Sequence, residues 1–509
     1  MKIYLYFFFI FSFFVVLGLR LFQLTIVRGE YFRSLSDQNR IKELIIEAPR
    51  GEITDRKGFV LAKSSLPDVA QIKNRIISHR TYIEPVVIAP LIGYRQIADE
   101  KDLNNDNCLY KIGAGDKVGK KGAEAVFDCD LRGIPGKKLI EVDARGKFLR
   151  TLNVIPPEPG HNIQLTVDLD LQKKAYELMK DKKGAIVASD PKTGEILALV
   201  STPSFDPQDF EDKNSNMVEE YLSNKEKPLF NRVTAGVYAP GSVFKLAIAT
   251  AALESKTIDE KTEFEDTGVI TAGPLKFGNW YFLQYGKTEG MVDVVKAIRR
   301  SNDIFFYLAG AKTGEEDIKK WAEVLGYGKK TGIGLEEEVG LIPSPFWKEE
   351  NIGDRWYLGD SYNLSIGQGY VSATPLQTLM TTAAFANNGS LCQPKLLKDE
   401  KPNCKKLPIS KKTIDLVRVG MRQACSTGGT GWPLFDFKVG DKPIQTACKT
   451  GTAESHAVSG QPHAWITVFA PFDKPEIALT ILIEEGGQGS DVAGPIAKEL
   501  LKTYFERSE

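Results

Sequence analysis

The chain turns at Tyr238-Ala239-Pro240-Gly241-Ser242-Val243-Phe244-Lys245 and then runs into an apolar, alanine-rich segment, residues 246–253. Pro240 and Gly241 are typical of a turn. The residues that follow are good helix formers without Gly or Pro, which predicts a buried helix. Ser242 then lies at the start of that helix, and Lys245 lies one turn further along the same face.

This spacing places an amine beside a hydroxyl. A serine hydroxyl becomes a good nucleophile when a neighbouring base takes its proton. Lysine can be that base if burial lowers its pKa from about 10.4. The N–H groups and positive dipole end of a helix N-terminus favour the negative charge that develops there. The structural alternative is that Ser242 caps the helix and Lys245 is solvated.

Length and composition indicate an ordinary globular protein of 509 residues, enough for two or three domains. Lys plus Arg and Asp plus Glu both number 66, so the formal net charge is zero. With no long basic run and no nucleic-acid motif, a nucleic-acid partner is not predicted. None of the six cysteines forms a C-x-x-C pair, which argues against a zinc ribbon or a thioredoxin-like centre.

The N-terminal residues 3–26 form one long apolar run that can cross a bilayer once. A cleaved signal peptide is the alternative, but the run is long and no small-residue cleavage site follows it. We therefore expect an uncleaved anchor, residues 1–27, with the rest of the chain on one side of the membrane. If that side is extracytoplasmic, the cysteines can pair as disulfides.

The remaining chain divides at a stiff polar linker, residues 156–160. Before it, short strand signals alternate with glycine turns, so residues 28–158 are expected to form a pedestal or dimerisation-type domain. Residues 159–509 are expected to form a second, more regular domain. Within it a long loop is expected at residues 203–228, and the predicted strands are 184–189, 195–201, 463–471 and 477–484.

A second polar stretch, Arg300-Ser301-Asn302-Asp303, precedes an aromatic helix start. The structural interpretation is that this stretch caps the helix, because Ser and Asp are good helix caps. The functional interpretation is a polar wall of a cleft, in which Ser301 relays a proton.

A third stretch, Lys449-Thr450-Gly451-Thr452, presents an ammonium and two hydroxyls along a strand. These groups can bind a carboxylate. Gly451 would let a substrate backbone approach closely. The N–H of Thr452 could join that of Ser242 in an oxyanion hole.

The order S-x-x-K, S-x-N and K-T-G resembles that of the penicillin-binding proteins. The stretch RGEITDRKGFVLA at residues 50–62 resembles the first motif of the class B penicillin-binding proteins. Residues 363–377 resemble a further segment of the family. The resemblance covers nearly the whole chain. Asp303 in place of the more usual Asn, together with the Leu-Arg-Gly-Ile-Pro-Gly block at residues 131–136, favours the elongation-type subclass over the division-type subclass.

The resemblance implies an α+β multidomain fold. It would comprise a single N-terminal transmembrane helix, an elongated β-rich pedestal, and a transpeptidase domain whose central antiparallel sheet is flanked by helices. The implied function is a peptidoglycan D,D-transpeptidase that cross-links stem peptides through a serine acyl-enzyme during cell-wall elongation and cell-shape maintenance. It would sit in the bacterial cytoplasmic (inner) membrane with its catalytic domain extracytoplasmic, and β-lactams would inhibit it by acylating Ser242.

The resemblance also assigns roles to individual side chains. The catalytic residues it implies are Ser242, Lys245, Ser301, Asp303 and Lys449, and the substrate-binding residues are Thr450, Gly451 and Thr452. Ser242 would attack the penultimate D-Ala, Lys245 would accept its proton, and Ser301 would protonate the departing D-Ala amine. The third stretch would hold the terminal carboxylate.

Two other functions remain open at this stage. A β-lactam-hydrolysing or β-lactam-sensing protein would carry the same motifs, although the sequence offers no obvious base to activate water. A scaffold that activates a membrane glycosyltransferase of the SEDS type, RodA-like, is the second alternative. The intact residues Ser242, Lys245 and Lys449 argue against a degenerate enzyme, and a SEDS partner is compatible with catalysis.

No cofactor and no metal site are predicted. Some elongation-type relatives carry zinc, but residues 262–300 contain neither His nor Cys. Cys392 and Cys404 flank a polar excursion that a disulfide could close, and Cys425 and Cys448 could also lie close together. Free buried thiols are the alternative for both pairs.

Overall fold

The computed structural model describes residues 2–65, 71–72, 75–143, 145–455 and 460–507. It begins with helix α1 (Lys2–Phe22), which a π-helical turn (Gln23–Val27) extends. In this described part of the chain, Lys2–Val27 is the one segment long and apolar enough to cross a membrane, and none of it is buried inside the protein. Helix α2 (Gly29–Arg40) follows.

Short strands and helices follow, and most of the strands belong to two mixed sheets. The strands are β1 (Ile41–Ile46), β2 (Ile53–Thr54), β3 (Val60–Ser65), β4 (Gln71–Ile72), β5 (Arg75–Ile76), β6 (His79–Tyr82), β7 (Arg95–Ile97), β8 (Lys117–Gly119), β9 (Gly136–Val142), β10 (Phe148–Ile155) and β11 (Ile163–Gln164). The helices are α3 (Pro85–Ile92), α4 (Glu100–Asn105), α5 (Gly122–Val126) and α6 (Asp128–Leu131). The two mixed sheets have the strand orders β10-β9-β1-β5-β4 and β11-β2-β3-β6, and β7 pairs with β8 in a separate two-stranded sheet.

The second half of the chain is built on one antiparallel sheet. Its helices are α7 (Leu169–Met179), α8 (Gln208–Glu211), α9 (Ser215–Ser223), α10 (Lys245–Glu254), α11 (Trp280–Tyr285), α12 (Val294–Arg300), α13 (Asp303–Thr313), α14 (Glu315–Val324), α15 (Pro345–Ile352), α16 (Leu358–Ser365), α17 (Pro375–Ala386), α18 (Lys411–Ala424) and α19 (Gly489–Glu506). Its strands are β12 (Gly184–Ser189), β13 (Ile196–Thr202), β14 (Phe264–Asp266), β15 (Val269–Ala272), β16 (Leu275–Gly278), β17 (Gly290–Val292), β18 (Ser390–Cys392), β19 (Cys404–Lys406), β20 (Lys438–Val439), β21 (Lys442–Pro443), β22 (Ala447–Ala453), β23 (His463–Ala470) and β24 (Ile477–Ile483). The central sheet has the order β13-β12-β24-β23-β22.

Both faces of this sheet are covered by helices. Side chains alternate between faces along a strand, so Ala185 and Val187 of β12 lie in one core while Ile186 and Ala188 lie in the other. Helices α10, α13 and α17 contribute to the first core, and α7 and α19 contribute to the second. The predicted antiparallel sheet flanked by helices is confirmed, and it places the catalytic stretches at one edge, along β22.

The prediction of a long loop at residues 203–228 is wrong. This segment contains α8 and α9 and packs against the earlier part of the chain. Phe205 and Phe210 are buried against Tyr94, and Arg95 donates to the Glu211 carboxylate from two nitrogens at 2.7 and 2.8 Å. Buried aromatic contacts and a buried ion pair with residues far away in sequence order the segment, and its local composition carries no sign of them.

Three disulfides involve all six cysteines. They join Cys392 to Cys404, Cys425 to Cys448, and Cys108 to Cys129. The sequence left the first two pairings possible, with free buried thiols as the alternative. The third was not predicted.

Candidate active site

Ser242 lies in a single 3₁₀ turn, Gly241–Phe244, that leads directly into α10. Most of α10 is buried, as an alanine-rich helix without a polar face should be. Gly241 has φ +55°, a left-handed conformation that favours glycine. The predicted buried helix is confirmed, with the difference that its first turn, which carries the serine, is tighter than an α-helix.

Two other segments hold the serine turn in place. The Gly241 N–H donates to the Gly367 carbonyl at 2.8 Å, so the family-like segment around residues 363–369 supports the turn from one side. On the other side, a Cβ on Gly451 would lie 3.1 Å from Val243 Cγ1 and 3.3 Å from the Pro240 carbonyl oxygen. Gly451 therefore lets β22 pack tightly against the serine turn, a role the sequence did not indicate.

Lys245 is fully buried and contacts the second motif with its amine. Its Nζ donates to Asp303 Oδ1 at 2.6 Å and to the Ser301 carbonyl at 2.9 Å, and it lies 3.4 Å from Ser301 Oγ. Ser242 Oγ is not among its hydrogen-bond partners in the described residues. The second motif thus holds Lys245, the base expected from the sequence, one helical turn after Ser242.

The Ser301 hydroxyl lies between the amines of Lys245 and Lys449. Lys449 Nζ, also fully buried, donates to Ser301 Oγ at 2.8 Å and to the Thr450 carbonyl at 2.8 Å. Ser301 has φ +53°, which is unusual for a residue other than glycine. The structure therefore joins Lys245, Ser301 and Lys449 in one continuous polar chain.

The electrostatics of this chain disfavour a positive charge on both amines at once. Burial lowers the pKa of Lys245, and the Asp303 carboxylate only partly opposes that change. Burial lowers the pKa of Lys449 well below its ordinary value, and the positive charge of Lys245 lowers it further. Two ammonium groups beside one carboxylate would leave a net charge on buried side chains, so one amine is favoured as the free base.

Asp266, a buried carboxylate that the sequence did not indicate, supports the second motif through hydrogen bonds. Asp266 accepts hydrogen bonds from the side-chain amides of Asn279 at 2.7 Å and Asn302 at 2.9 Å. The Asn279 side-chain oxygen then accepts the Asp303 N–H at 3.1 Å. Asn302 therefore faces the scaffold, and Asp303 takes the position beside Lys245. Asp266 ends strand β14 and Asn279 directly precedes α11, and nothing in the sequence marks either residue.

These groups border one open cleft of ≈ 990 Å³. Ser242, Ser301, Asp303, Thr450, Gly451 and Thr452 all line it. Lys245 and Lys449 lie just behind its surface. Every site residue expected from the sequence is thus at or directly behind the same cleft. Among the residues that the structure describes, no group of three His, Cys, Asp or Glu side chains could hold a metal ion.

Comparison with known proteins identifies the family and the fold. Residues 184–502 match the model of the penicillin-binding protein transpeptidase domain, and residues 63–165 match that of the penicillin-binding protein dimerisation domain. The peptidoglycan D,D-transpeptidase MrdA of Escherichia coli K12 is 30% identical, over 96% of this chain and 91% of that protein.

Solved structures agree with this relation. The complex of the penicillin-binding protein PBP2 with MreC from Helicobacter pylori matches with a TM-score of 0.78 and 29% identity, over 92% of this chain and 99% of the matched chain. A chain of a peptidoglycan synthase complex that coordinates polymerisation and crosslinking matches with a TM-score of 0.78 and 30% identity, over 99% of this chain and 98% of that one.

The serine turn, the buried lysines and the strand edge thus occur in a chain that resembles known transpeptidases over nearly its whole length. The chain belongs to the class B penicillin-binding proteins, most like penicillin-binding protein 2, and is a peptidoglycan D,D-transpeptidase.

Proposed function

We propose that the chain cross-links stem peptides during cell-wall elongation through an acyl-enzyme on Ser242, with proton transfer along Lys245, Ser301 and Lys449. The single observation that carries these roles is the polar chain itself. Ser301 Oγ lies 3.4 Å from Lys245 Nζ and 2.8 Å from Lys449 Nζ, beside the cleft that Ser242 lines. Hydrogen-bonded groups at these distances can exchange protons.

Substrate binding would set the protonation state. The terminal carboxylate of the stem peptide would lie against Thr450 and Thr452, close to Lys449, and a nearby anion favours the charged form of an amine. A proton can then pass from Lys245 to Ser301 Oγ while the Ser301 proton passes to Lys449. Lys245 is left as the free amine that nucleophilic attack requires.

Acylation follows from this state. Ser242 Oγ attacks the penultimate D-Ala carbonyl, and its proton moves to Lys245. The backbone N–H groups of Ser242 and Thr452 stabilise the oxyanion. As the peptide bond breaks, Ser301 donates its proton to the departing D-Ala amine and is reprotonated from a neighbouring lysine. The amine of a second stem peptide then displaces Ser242. With β-lactams, which resemble D-Ala-D-Ala, the reaction would stop at the acyl-enzyme.

The decisive experiment is the intact mass of the detergent-solubilised full chain, followed over time with benzylpenicillin. We expect a stable adduct of one drug mass on Ser242, no adduct with Ser242→Ala, and slower labelling with Lys449→Ala. Ser490→Ala is the matched control, because Ser490 lines the same cleft and should leave labelling intact.

The other outcomes separate the alternatives. A transient adduct with rapid drug hydrolysis would indicate a β-lactam-hydrolysing enzyme. Labelling of Ser242→Ala would overturn the assignment of the nucleophile. A folded wild-type chain that forms no adduct would favour the scaffold role.

We also propose that residues 1–27 anchor the chain in the bacterial cytoplasmic (inner) membrane, that residues 28–158 form the pedestal, and that residues 159–509 form an extracytoplasmic transpeptidase domain. Pairing of all six cysteines supports an oxidising compartment. A phosphatase reporter that is active only outside the cytoplasm, fused after residue 507, should be active. An inactive reporter on a stable fusion would contradict this orientation.

A SEDS-type, RodA-like glycosyltransferase is the proposed membrane partner. Two surfaces support this proposal. One is the apolar helix Lys2–Val27, none of which is buried. The other is the edge strand β10, whose apolar side chains Phe148, Leu152 and Ile155 are about half exposed. One similar structure is a complex of PBP2 with MreC and another is a peptidoglycan synthase complex, which supports a role in an assembly. Charged substitutions at Phe148 and Leu152 should reduce co-purification with the glycosyltransferase, and unchanged recovery would contradict the β10 contact.

A further inference from the structure

Residues 426–431, Ser-Thr-Gly-Gly-Thr-Gly, form a loop at the wall of the cleft that none of the three motifs includes. The loop connects the end of α18 to a 3₁₀ turn, Trp432–Leu434. It runs beside β22, the strand that carries Lys449 and Thr450. This glycine-rich loop therefore lies close to the reaction centre.

The loop is fastened to the third motif by a disulfide. Cys425 at its start is bonded to Cys448, the residue just before Lys449. The loop also lies directly on this bond, because a Cβ on Gly431 would meet Cys448 Sγ at 2.5 Å. A Cβ on Gly429 would meet the Ala424 carbonyl oxygen at 2.3 Å. Gly429 and Gly431 are therefore required for close packing, and this packing restricts the conformation of the loop.

The loop is fastened to the second motif by two arginines. Arg299 donates to the Thr427 carbonyl at 3.1 Å, and Arg300 donates to the Gly428 carbonyl at 2.9 Å. Arg300 directly precedes Ser301. The loop is thus held from both motifs at once, which is the arrangement expected of a segment that positions a functional group.

The group it positions is the Thr430 hydroxyl. Thr450 Oγ1 donates to Thr430 Oγ1 at 2.8 Å, and both residues line the cleft. Since Thr430 accepts this bond, its own proton remains available as a donor. Within the described part of the chain, no protein acceptor takes that proton.

We propose that Thr430 is a further residue of the carboxylate pocket, donating its hydroxyl proton to the terminal carboxylate of the stem peptide or β-lactam. This inference rests on the proposed function of Thr450. Thr450 donates its single hydroxyl proton to Thr430 Oγ1, so Thr430 is the hydroxyl of this pair that can donate to the carboxylate. The Cys425–Cys448 disulfide and the two arginines keep Thr430 at this position.

The test compares acylation of the detergent-solubilised full chain by benzylpenicillin and by its methyl ester, which lacks the carboxylate charge. Thr430→Val removes the hydroxyl and keeps the shape, Thr430→Ser keeps the hydroxyl, and Thr427→Val makes the same change elsewhere in the loop. A hydrogen bond to a charged group corresponds to about a tenfold to hundredfold change in rate.

We expect Thr430→Val to lose about that factor with benzylpenicillin and little with the methyl ester, Thr430→Ser to recover most of it, and Thr427→Val to match the wild type. Acylation by the ester also verifies that each variant is folded. An equal loss with both probes, or no loss with either, would overturn the role of Thr430 while leaving the proposed function intact. A wild-type chain that is not acylated at Ser242 would overturn both.

Discussion

Ser301→Ala tests the proton path most directly, because it removes one oxygen and leaves both amines supported. Lys245 keeps Asp303 Oδ1 at 2.6 Å and the Ser301 carbonyl at 2.9 Å. Lys449 keeps the Thr450 carbonyl at 2.8 Å. The site should therefore keep its shape and lose the hydroxyl that joins the two amines.

The expected magnitude follows from the role of that hydroxyl. A positioned general acid or base contributes about 10²–10⁴-fold to rate, which corresponds to about 2.7–5.5 kcal/mol of barrier. We expect the first-order acylation rate constant with benzylpenicillin to fall by that factor. The dissociation constant of the non-covalent complex should change little, because Thr450 and Thr452 still face the carboxylate.

The assay is a time course of intact mass at several drug concentrations, which separates the acylation rate constant from the dissociation constant. Ser301→Gly is the matched variant. Ser301 has φ +53°, which glycine adopts more readily than alanine. Both variants lack the hydroxyl but differ in backbone strain, so equal losses would attribute the effect to the hydroxyl.

Two results would refute the reasoning. A wild-type acylation rate constant in either variant would mean that Ser301 does not transfer a proton in the rate-limiting step. A loss confined to Ser301→Ala, with Ser301→Gly unaffected, would attribute the effect to the backbone.

Three further changes test the electrostatics and the framework. Asp303→Asn removes the carboxylate that raises the pKa of Lys245 against the effect of burial, so the ascending limb of the acylation rate against pH should move to lower pH. Glu211→Ala leaves the buried Arg95 without its main partner and should lower the free energy of unfolding by about 3 kcal/mol in urea titrations. Cys448→Ala opens a disulfide with a sequence separation of 23 and should lower the stability of the oxidised protein by about 3 kcal/mol.

Each of these has a control and a contrary outcome. An ascending limb that stays in place or moves to higher pH in Asp303→Asn would mean that Lys245 is not the titrating base. Glu226→Ala, at an exposed surface pair of the same segment, should change stability by at most about 0.5 kcal/mol, and an equal effect of Glu211→Ala would contradict the role of the buried pair. Cys448→Ala should match the wild type once both are reduced, and a difference that persists would point to packing instead of the disulfide.

The sequence by itself determined the features that a local period controls. Ser242 and Lys245 share a helix face because three residues make nearly one helical turn. The strands at residues 184–189 and 195–201 could also be predicted locally, because each is a short apolar run bounded by turn residues. The order of the three motifs was sufficient to indicate the chemistry. The segment at residues 203–228 could not be predicted in this way, because Phe205, Phe210 and Glu211 are ordered by partners that precede them by more than 100 residues.

Only the tertiary structure decided how the motifs meet. Ser301 is 56 residues from Lys245 and 148 residues from Lys449, and no local pattern encodes that its hydroxyl lies between their amines. The same holds for Asp266 beneath the second motif and for Thr430 beside the third. These contacts arise because two cores on either side of one sheet bring distant segments to a common edge, and packing of the whole domain sets their distances.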